Sequence, residues 1–265
     1  MMRLRSIIPL AALAIALPIV SWSVDGLALS AQKPAAQDPL GRVPLFDGKT
    51  LTGWRGYKKP DATGSRWGVQ DGVLTLSPND GKDTRGARDI ITTETYDLFD
   101  LTWEWKIAPG GNSGLKYFVL EDRDSAIGHE YQLIDDERHP DAKVGPHRQT
   151  AAFYDVLAPA TCPTCPAGQM PPGIKKPAGE WNTSRVRVAP SRVVAGGTRV
   201  YHYLNDVRVL EYELGSADLR AAIEKSKFKG MERFGTLQKG HILLQDHGNQ
   251  VWYRNIKISR LRPQS

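Results

Sequence analysis

Two stretches of this 265-residue sequence place acid–base groups at the two-residue spacing of a β-strand. Glu130 and Gln132 share one face of the run His129–Asp136, because successive side chains of a strand point in opposite directions. Glu104 and Lys106 alternate in the same way with apolar neighbours. Carboxylates can move protons, and amides and ammonium groups can bind oxygen atoms. These strands therefore predict a polar binding or catalytic face.

A third polar group follows an apolar stretch near the C-terminus. The sequence Gln245-Asp-His-Gly248 puts an amide, a carboxylate and an imidazole at a predicted turn, where a rigid scaffold can hold them. Each of the three groups, taken alone, also fits a solvated surface. Together they predict one site, built from several strands of a single curved sheet that binds sugar, with tryptophans as stacking platforms.

Short strands must position these groups. Leu101–Ile107 alternates apolar and polar residues, and Asp71-Gly72 is a hairpin turn between two halves of Trp67–Leu76. A single short helix is predicted over Ala217–Lys227, with Ser216 as its N-cap. Further strands are predicted at Leu115–Leu120, Glu130–Ile134, Ser184–Val188, Arg199–Leu204, Val207–Tyr212, His241–Gln245 and Val251–Ile258. This pattern predicts an all-β fold, a sandwich or jelly roll.

Composition and charge exclude several classes of protein. Hydrophobic residues make up 40% and charged residues 24%, which is a globular balance and not that of a disordered chain. The 25 glycines and 18 prolines favour many turns over long helices. The formal net charge is +6, but the basic residues are scattered, so we expect no nucleic-acid partner.

The N-terminus has the anatomy of an export signal. Met1–Arg5 is basic, Ile7–Val20 is apolar, and small residues stand at Ala28 and Ser30. We expect a signal peptide over residues 1–30, a linker over 31–42 and a single domain over 43–262, in a periplasmic or secreted protein. An uncleaved anchor is the alternative.

Both cysteines lie in an irregular segment rich in proline and glycine, Ala158–Gly179. A loop of this length in a compact domain is usually a functional element or an insertion. In an exported protein, Cys162 and Cys165 are predicted to form a local disulfide. The alternatives are half of a zinc site, which would need two histidines, or a redox pair, which the flanking prolines disfavour.

An ordered set of motifs resembles the 3-keto-disaccharide hydrolase family. The resemblance covers about residues 43–262, and it implies a concanavalin-like or laminin-G-like jelly roll in a secreted or periplasmic protein. It also implies cleavage of 3-keto-glycosides by elimination, followed by hydration of the resulting glycal. The motifs are Leu45–Trp54, Glu104–Lys106, Gly111–Gly114, His129–Gln132, Gly179–Asn182, His202 with Leu204-Asn205, Ser226–Lys229, Gly240–Gly248 and Tyr253–Lys257.

Such a reaction needs a base near C2 of the sugar, an acid near the glycosidic oxygen and a group that stabilises an enolate. From residue type and inferred face, Glu130 and His247 are predicted as base and acid, with Glu104 as the alternative for either role. Lys106 or Arg254 is predicted to stabilise the enolate oxygen. The other predicted substrate-binding residues are Asn112, Gln132, Asn182, His202 and Gln245.

No metal or other cofactor is predicted, because no tight ligand motif, phosphate loop or dinucleotide fingerprint is present. A separate oxidoreductase must then install the keto group. Two other functions fit the fold. One is a non-catalytic carbohydrate-binding module. The other is a retaining glycoside hydrolase, although Lys106 stands where such an enzyme would carry a second acid two residues after Glu104.

Overall fold

The computed structural model describes residues 38–79, 89–159, 170 and 172–262. Within them are thirteen β-strands, one α-helix, α1 (Ala217–Ile223), and two 3-10 helices, Pro140–Lys143 and Pro146–Arg148. The strands are β1 (Val43–Pro44), β2 (Trp54–Gly56), β3 (Trp67–Gln70), β4 (Val73–Leu76), β5 (Ile90–Thr92), β6 (Phe99–Ile107), β7 (Asn112–Val119), β8 (His129–Ile134), β9 (Asn182–Pro190), β10 (Thr198–Leu204), β11 (Val207–Glu213), β12 (His241–Leu244) and β13 (Val251–Arg260).

The strands form two antiparallel sheets. The large sheet has eight strands in the order β11-β10-β9-β6-β13-β4-β3, with β1 paired to β13. The small sheet has five strands in the order β2-β5-β12-β7-β8. Neighbours such as β6 and β13 come from distant parts of the chain, as in a jelly roll. The predicted all-β jelly-roll sandwich with one short helix is confirmed.

The core lies between the two sheets. Alternation on β6 turns Leu101, Trp103 and Trp105 inward, where all three are buried. The ring of Trp103 packs edge-to-face on Tyr131 of the small sheet, with 5.0 Å between ring centroids. Residues that alternate with these point away from the core. Each sheet therefore has an outer face that is free to carry polar groups.

Two tight turns show how the sequence sets the hairpins. At Asp71-Gly72, which joins β3 and β4, both residues have positive φ values of 52° and 78°. At Asn205-Asp206, which joins β10 and β11, both residues are again left-handed, with φ values of 46° and 66°. Two successive left-handed residues match the twist of antiparallel strands. The first hairpin confirms its prediction, and the second places two residues with side chains where glycine is usually preferred.

The helix α1 begins as predicted and ends earlier than predicted. The Ser216 hydroxyl accepts a hydrogen bond from the Leu219 N–H at 3.1 Å, which confirms the N-cap. Beyond Ile223, the Lys227 N–H donates to the carboxylate of Asp155 at 2.7 Å, so this residue is held outside the helix. No helix of the described residues is long and apolar enough to cross a bilayer.

Candidate active site

A buried ion pair lies on the outer face of the small sheet. Lys116 of β7 is directly opposite Glu130 of β8, and its Nζ lies 3.7 Å from Glu130 Oε2. The ammonium also donates to the Ala126 carbonyl at 3.1 Å. Burial raises the pKa of Glu130 above its usual value, and the nearby charges of Lys116 and Lys227 oppose that rise. The pair thus combines a desolvated carboxylate with its own counter-ion.

Space for the Glu130 carboxylate comes from a glycine. Gly114 of β7 lies opposite Gln132 and beside Glu130. A Cβ at position 114 would lie 2.5 Å from Glu130 Oε1 and 3.0 Å from its Cδ. Any larger residue would therefore push the carboxylate out of its place.

A second lysine stands near this carboxylate. Lys227 follows α1, and its Nζ lies 4.1 Å from the centroid of the Tyr154 ring. Burial lowers the pKa of Lys227, while the negative charges of Glu130 and Asp155 raise it. The sequence interpretation missed both Lys116 and Lys227. Lys227 lay inside one of the family-like motifs, and Lys116 alternates with apolar residues in β7, which was the available signal.

Lys227 is held in place by a network of charged side chains. Asp155 accepts from the Lys227 N–H and from Arg148 Nε at 2.6 Å. Arg148 also donates to Asp141 at 2.7 Å. This network fixes the loop that carries Tyr154 against the outer face of the small sheet.

The turn after β12 brings His247 to the same face. Asp246 accepts from Arg66, and its N–H donates to Asp89 at 2.8 Å. Burial raises the pKa of Asp89, and the charge of Lys116 opposes this rise. The exposed ring of His247 lies 6.1 Å from that of His139, and the His247 charge is near enough to lower the pKa of Glu130. Glu130 and His247, the predicted base and acid, therefore lie on one face.

Three predicted amides also lie on this face. Gln132 is opposite Gly114, and the Gln245 N–H donates to the Gly114 carbonyl at 2.9 Å. Among the residues that the structure describes, none donates a hydrogen bond to the buried side-chain oxygens of Asn112 and Gln245. Because a buried acceptor without a donor costs roughly 1–3 kcal/mol, hydroxyl groups placed there would relieve that cost.

Three other predicted site residues lie on the opposite side of the molecule. Glu104 and Lys106 project from the outer face of the large sheet, and Arg254 of β13 is directly opposite Glu104. Arg254 Nε donates to Glu104 Oε2 at 2.8 Å. The expectation of a single sheet for all the polar residues is wrong, because β6 and β13 belong to the large sheet and β7 and β8 to the small one. The hydrophobic core separates the two groups.

His202 cannot contact a substrate, which corrects its predicted role. It is fully buried between the sheets, and both ring nitrogens have partners: Nδ1 lies 2.9 Å from the Ala151 carbonyl and Nε2 lies 2.8 Å from the Tyr117 hydroxyl. Burial lowers the pKa of His202 to about 4. The alternation Val200, His202, Leu204 places it on the inward face of β10.

Asn182 is likewise a structural residue. Its side-chain oxygen accepts from the Lys176 N–H at 2.9 Å and from Asn205 at 2.9 Å, and its amide donates to the Lys176 carbonyl at 3.3 Å. These bonds tie the segment before β9 to the β10–β11 turn. The Asn182 amide is thus buried and occupied by structural hydrogen bonds, and its predicted contact with substrate stays a prediction.

Three predictions lie outside the described residues or concern ligands. Cys162 and Cys165, with their predicted disulfide, and the export signal are among the residues that the structure does not describe. Across the described ranges, no cluster of three or more His, Cys, Asp or Glu side chains is arranged to hold a metal ion.

Comparison with known proteins identifies the family. Residues 41–259 match the family model of the 3-keto-alpha-glucoside-1,2-lyase-like domain. The chain belongs to this family. A 3-keto-disaccharide hydrolase from Bacteroides thetaiotaomicron is 35% identical over 258 residues, which cover 88% of this chain and 82% of that protein. The predicted family membership is confirmed.

Solved structures agree with this assignment. The crystal structure of a candidate glycosyl hydrolase from Parabacteroides distasonis aligns with a TM-score of 0.67 and 30% identity, over 83% of this chain and 94% of that one. A second candidate glycosyl hydrolase from the same organism shares the fold, with a TM-score of 0.55 and 24% identity, over 78% of this chain and 99% of the other.

Proposed function

We propose that this protein is a carbohydrate-active enzyme that cleaves 3-keto-glycosides, with Glu130 as the base that removes the C2 proton. The observation that carries the proposal is the Glu130–Lys116 pair on the outer face of the small sheet. A carboxylate whose pKa is raised by burial is a stronger base than an exposed one, and the positive charge of the lysine favours its ionised form. The family membership and the 3-keto-disaccharide hydrolase relative support the substrate class.

The proposed steps conserve atoms and electrons. Glu130 takes the C2 proton, and the electrons of the C2–H bond form an enolate with the C3 keto oxygen. The enolate then re-forms the C3 carbonyl, makes a C1–C2 double bond and expels the C1 oxygen with a proton from an acid. Addition of water at C1, with return of a proton to C2, completes a net hydrolysis.

The residues around Glu130 suit the remaining roles. The ammonium groups of Lys116 and Lys227 provide positive charge for the enolate oxygen, a role that the sequence had suggested for Lys106 or Arg254. His247 is exposed on the same face and can carry the proton to the leaving oxygen. Asn112, Gln132 and Gln245, on the same face, are proposed to bind hydroxyl groups of the sugar.

The substrate must reach this enzyme already oxidised at C3. We therefore propose that it follows an oxidoreductase that acts on sugars at C3. We also propose that the protein is exported, on the basis of the signal-like residues 1–30. N-terminal sequencing of the exported protein should find a start between about residues 28 and 32, and a start at Met1 or Met2 would favour an anchor.

The decisive experiment compares aglycone release from a 3-keto-glucoside and from its unoxidised parent. The keto compound should react and the parent should be nearly inert, because its C2 proton is far less acidic. Glu130→Gln should lower turnover by about 10²–10⁴-fold. Glu211→Gln, which breaks the ion pairs of Glu211 with Arg199 and Arg208 on the large sheet, is the matched control.

The outcomes separate the alternatives. Equal rates on both substrates would replace elimination by ordinary glycoside hydrolysis. Sugar binding without any turnover would favour the carbohydrate-binding module. Full activity of Glu130→Gln, or an equal loss in Glu104→Gln, would contradict the assignment of the base.

A further inference from the structure

The outer face of the large sheet carries two part-exposed tryptophans that no catalytic step uses. The other tryptophans in the described residues are buried, whereas Trp181 and Trp252 lie on this face, on either side of Lys106. The Lys106 Nζ lies 4.4 Å from the Trp252 ring centroid and 5.3 Å from that of Trp181. Exposed tryptophans beside cations are typical of binding surfaces.

The ammonium of Lys106 is available to a ligand. In the part of the chain that the structure describes, its Nζ makes cation–π contacts with the two indole rings, and no carboxylate lies within 4 Å of it. Arg254 is next to it, with its guanidinium 4.0 Å from the Trp181 ring and its charge paired with Glu104. An unpaired cation held between aromatic rings favours an anionic group on the ligand.

Positive charge continues along the same face. Asp100, at the other end of β6, forms ion pairs with two arginines. Its Oδ2 lies 2.5 Å from Arg185 Nη2 and 3.2 Å from Arg187 Nη1. From Lys106 to Asp100, the side chains of β6, β9 and β13 that point away from the core include five cations and two carboxylates. The cations are Lys106, Arg185, Arg187, Arg254 and Lys257, and the carboxylates are Asp100 and Glu104.

This row is long and narrow. Lys106 lies six positions after Asp100 along β6, which is about 20 Å at the rise of a strand. A row of this length with an excess of three positive charges fits a linear polyanion better than a single sugar. Since the active-site residues lie on the small sheet, a chain bound here would leave Glu130 free.

We propose that the outer face of the large sheet is a second binding site, which holds a linear acidic glycan carrying carboxylate or sulfate groups. The tryptophans contact the sugar rings and the cations pair with the acidic groups. That the ligand is a glycan, and not another polyanion, rests on the proposed function. That the ligand is long and negatively charged rests only on the charge and shape of this surface. The site would keep the enzyme on a polysaccharide while small keto-sugars react on the opposite face.

The test is calorimetric titration of the purified full chain with polygalacturonate, dextran sulfate and neutral dextran. At least one acidic glycan should bind and neutral dextran should not, and binding should weaken as salt screens the charges. Binding of polygalacturonate would identify carboxylate as the recognised group, and binding of dextran sulfate would identify sulfate. Trp252→Ala and Lys106→Gln should each weaken binding by about tenfold, which is roughly 1.4 kcal/mol.

Two controls make the test specific. Lys49→Gln removes an exposed cation elsewhere and should bind as the wild type does. Glu130→Gln should also bind fully, so that failure of the proposed catalysis and failure of this site can be told apart. Near-ultraviolet circular dichroism checks that each variant is folded.

The proposal is overturned if Trp252→Ala and Lys106→Gln both bind the acidic glycans like the wild type. Equally tight binding of neutral dextran would contradict the role of charge. Binding of a single-stranded DNA oligonucleotide that is as tight, and as sensitive to both substitutions, would contradict a glycan-specific site.

Discussion

Gly114 and Glu130 meet on the outer face of the small sheet, where a Cβ at residue 114 would lie 2.5 Å from Glu130 Oε1. The φ of Gly114 is not in the left-handed region, so the requirement is for space and not for backbone freedom. The glycine thus leaves room for the carboxylate beside β7, where it lies 3.7 Å from Lys116 Nζ.

Gly114→Ala should lower kcat/KM on a 3-keto-glucoside by about 10–100-fold, because a displacement of about 1 Å at a reacting group can cost that much. The measurement is steady-state kinetics. Gly68→Ala is the matched control, since a Cβ at Gly68 would contact nothing within 4 Å and its φ is also ordinary. Normal turnover in Gly114→Ala would show that the position of Glu130 is not critical.

The Glu130–Lys116 pair predicts a change in pH dependence. Burial raises the pKa of Glu130 and the positive charge of Lys116 lowers it, so Lys116→Met should raise it further. The base must be ionised, so activity is lost as pH falls through this pKa. The acid limb of kcat/KM should therefore move to higher pH. The control Lys49→Met removes an exposed cation and should leave the acid limb in place. An acid limb that does not move in Lys116→Met would contradict the assignment of Glu130 as the base.

The sequence predicted most of the strands, but it could not predict which strands pair with one another in each sheet. Alternation shows that Glu104 and Glu130 both point away from a core, but it cannot show that they point in opposite directions. That depends on the pairing of β6 with β9 and β13, which follow it by some 80 and 150 positions. The two groups of polar residues were therefore merged into one predicted site.

Other differences have local causes. The strands β1, β2 and β5 were not predicted, because two or three residues are too few to show alternation. His202 was assigned to the site by residue type, although its neighbours on the same strand face, Val200 and Leu204, are apolar. The same two-residue period that identified the outer residues marks this histidine as inward.

A directed chain of hydrogen bonds crosses the core. The His202 Nδ1–H donates to the Ala151 carbonyl, so Nε2 accepts from Tyr117. Tyr117 in turn accepts from Tyr212, and Tyr212 accepts from His129 Nδ1–H at 2.8 Å. His129 Nε2 accepts from the Gly235 N–H at 3.1 Å, which ends the chain. Both imidazoles are therefore neutral, and a proton added to either would break a bond.

This chain predicts acid sensitivity of the fold. Burial lowers the pKa of His129 to about 3 and that of His202 to about 4, below the value near 6.5 of an unfolded histidine. The stability that the two neutral histidines give to the folded state is fully present above a pH of about 6.5. It is lost as the pH falls towards 4, because the histidines of the unfolded chain bind protons first. The two histidines should together contribute a slope of about 2.7 kcal/mol per pH unit near pH 5.

Urea denaturation at a series of pH values between 7 and 4.5 measures this slope. His202→Gln should reduce it by about 1.4 kcal/mol per unit, whatever its effect on stability at pH 7. His247→Gln is the control, because that ring is exposed to solvent in the folded protein. An unchanged slope in His202→Gln would mean that this histidine is not held neutral by the fold.

The turn between β10 and β11 predicts a stabilising substitution. Asp206 has a φ of 66°, in the left-handed region that costs an ordinary residue about 1 kcal/mol and costs glycine nothing. Asp206→Gly should therefore raise the free energy of unfolding by about 0.5 kcal/mol, after the greater freedom of glycine in the unfolded chain is subtracted. Asn205 must stay, because its amide bonds to Ile174 and Asn182.

Asp206→Ala removes the same charge but keeps a Cβ, so it should lower stability instead. Thermal and urea unfolding of both variants give the comparison, and equal effects of Gly and Ala would show that charge, and not backbone conformation, governs this turn.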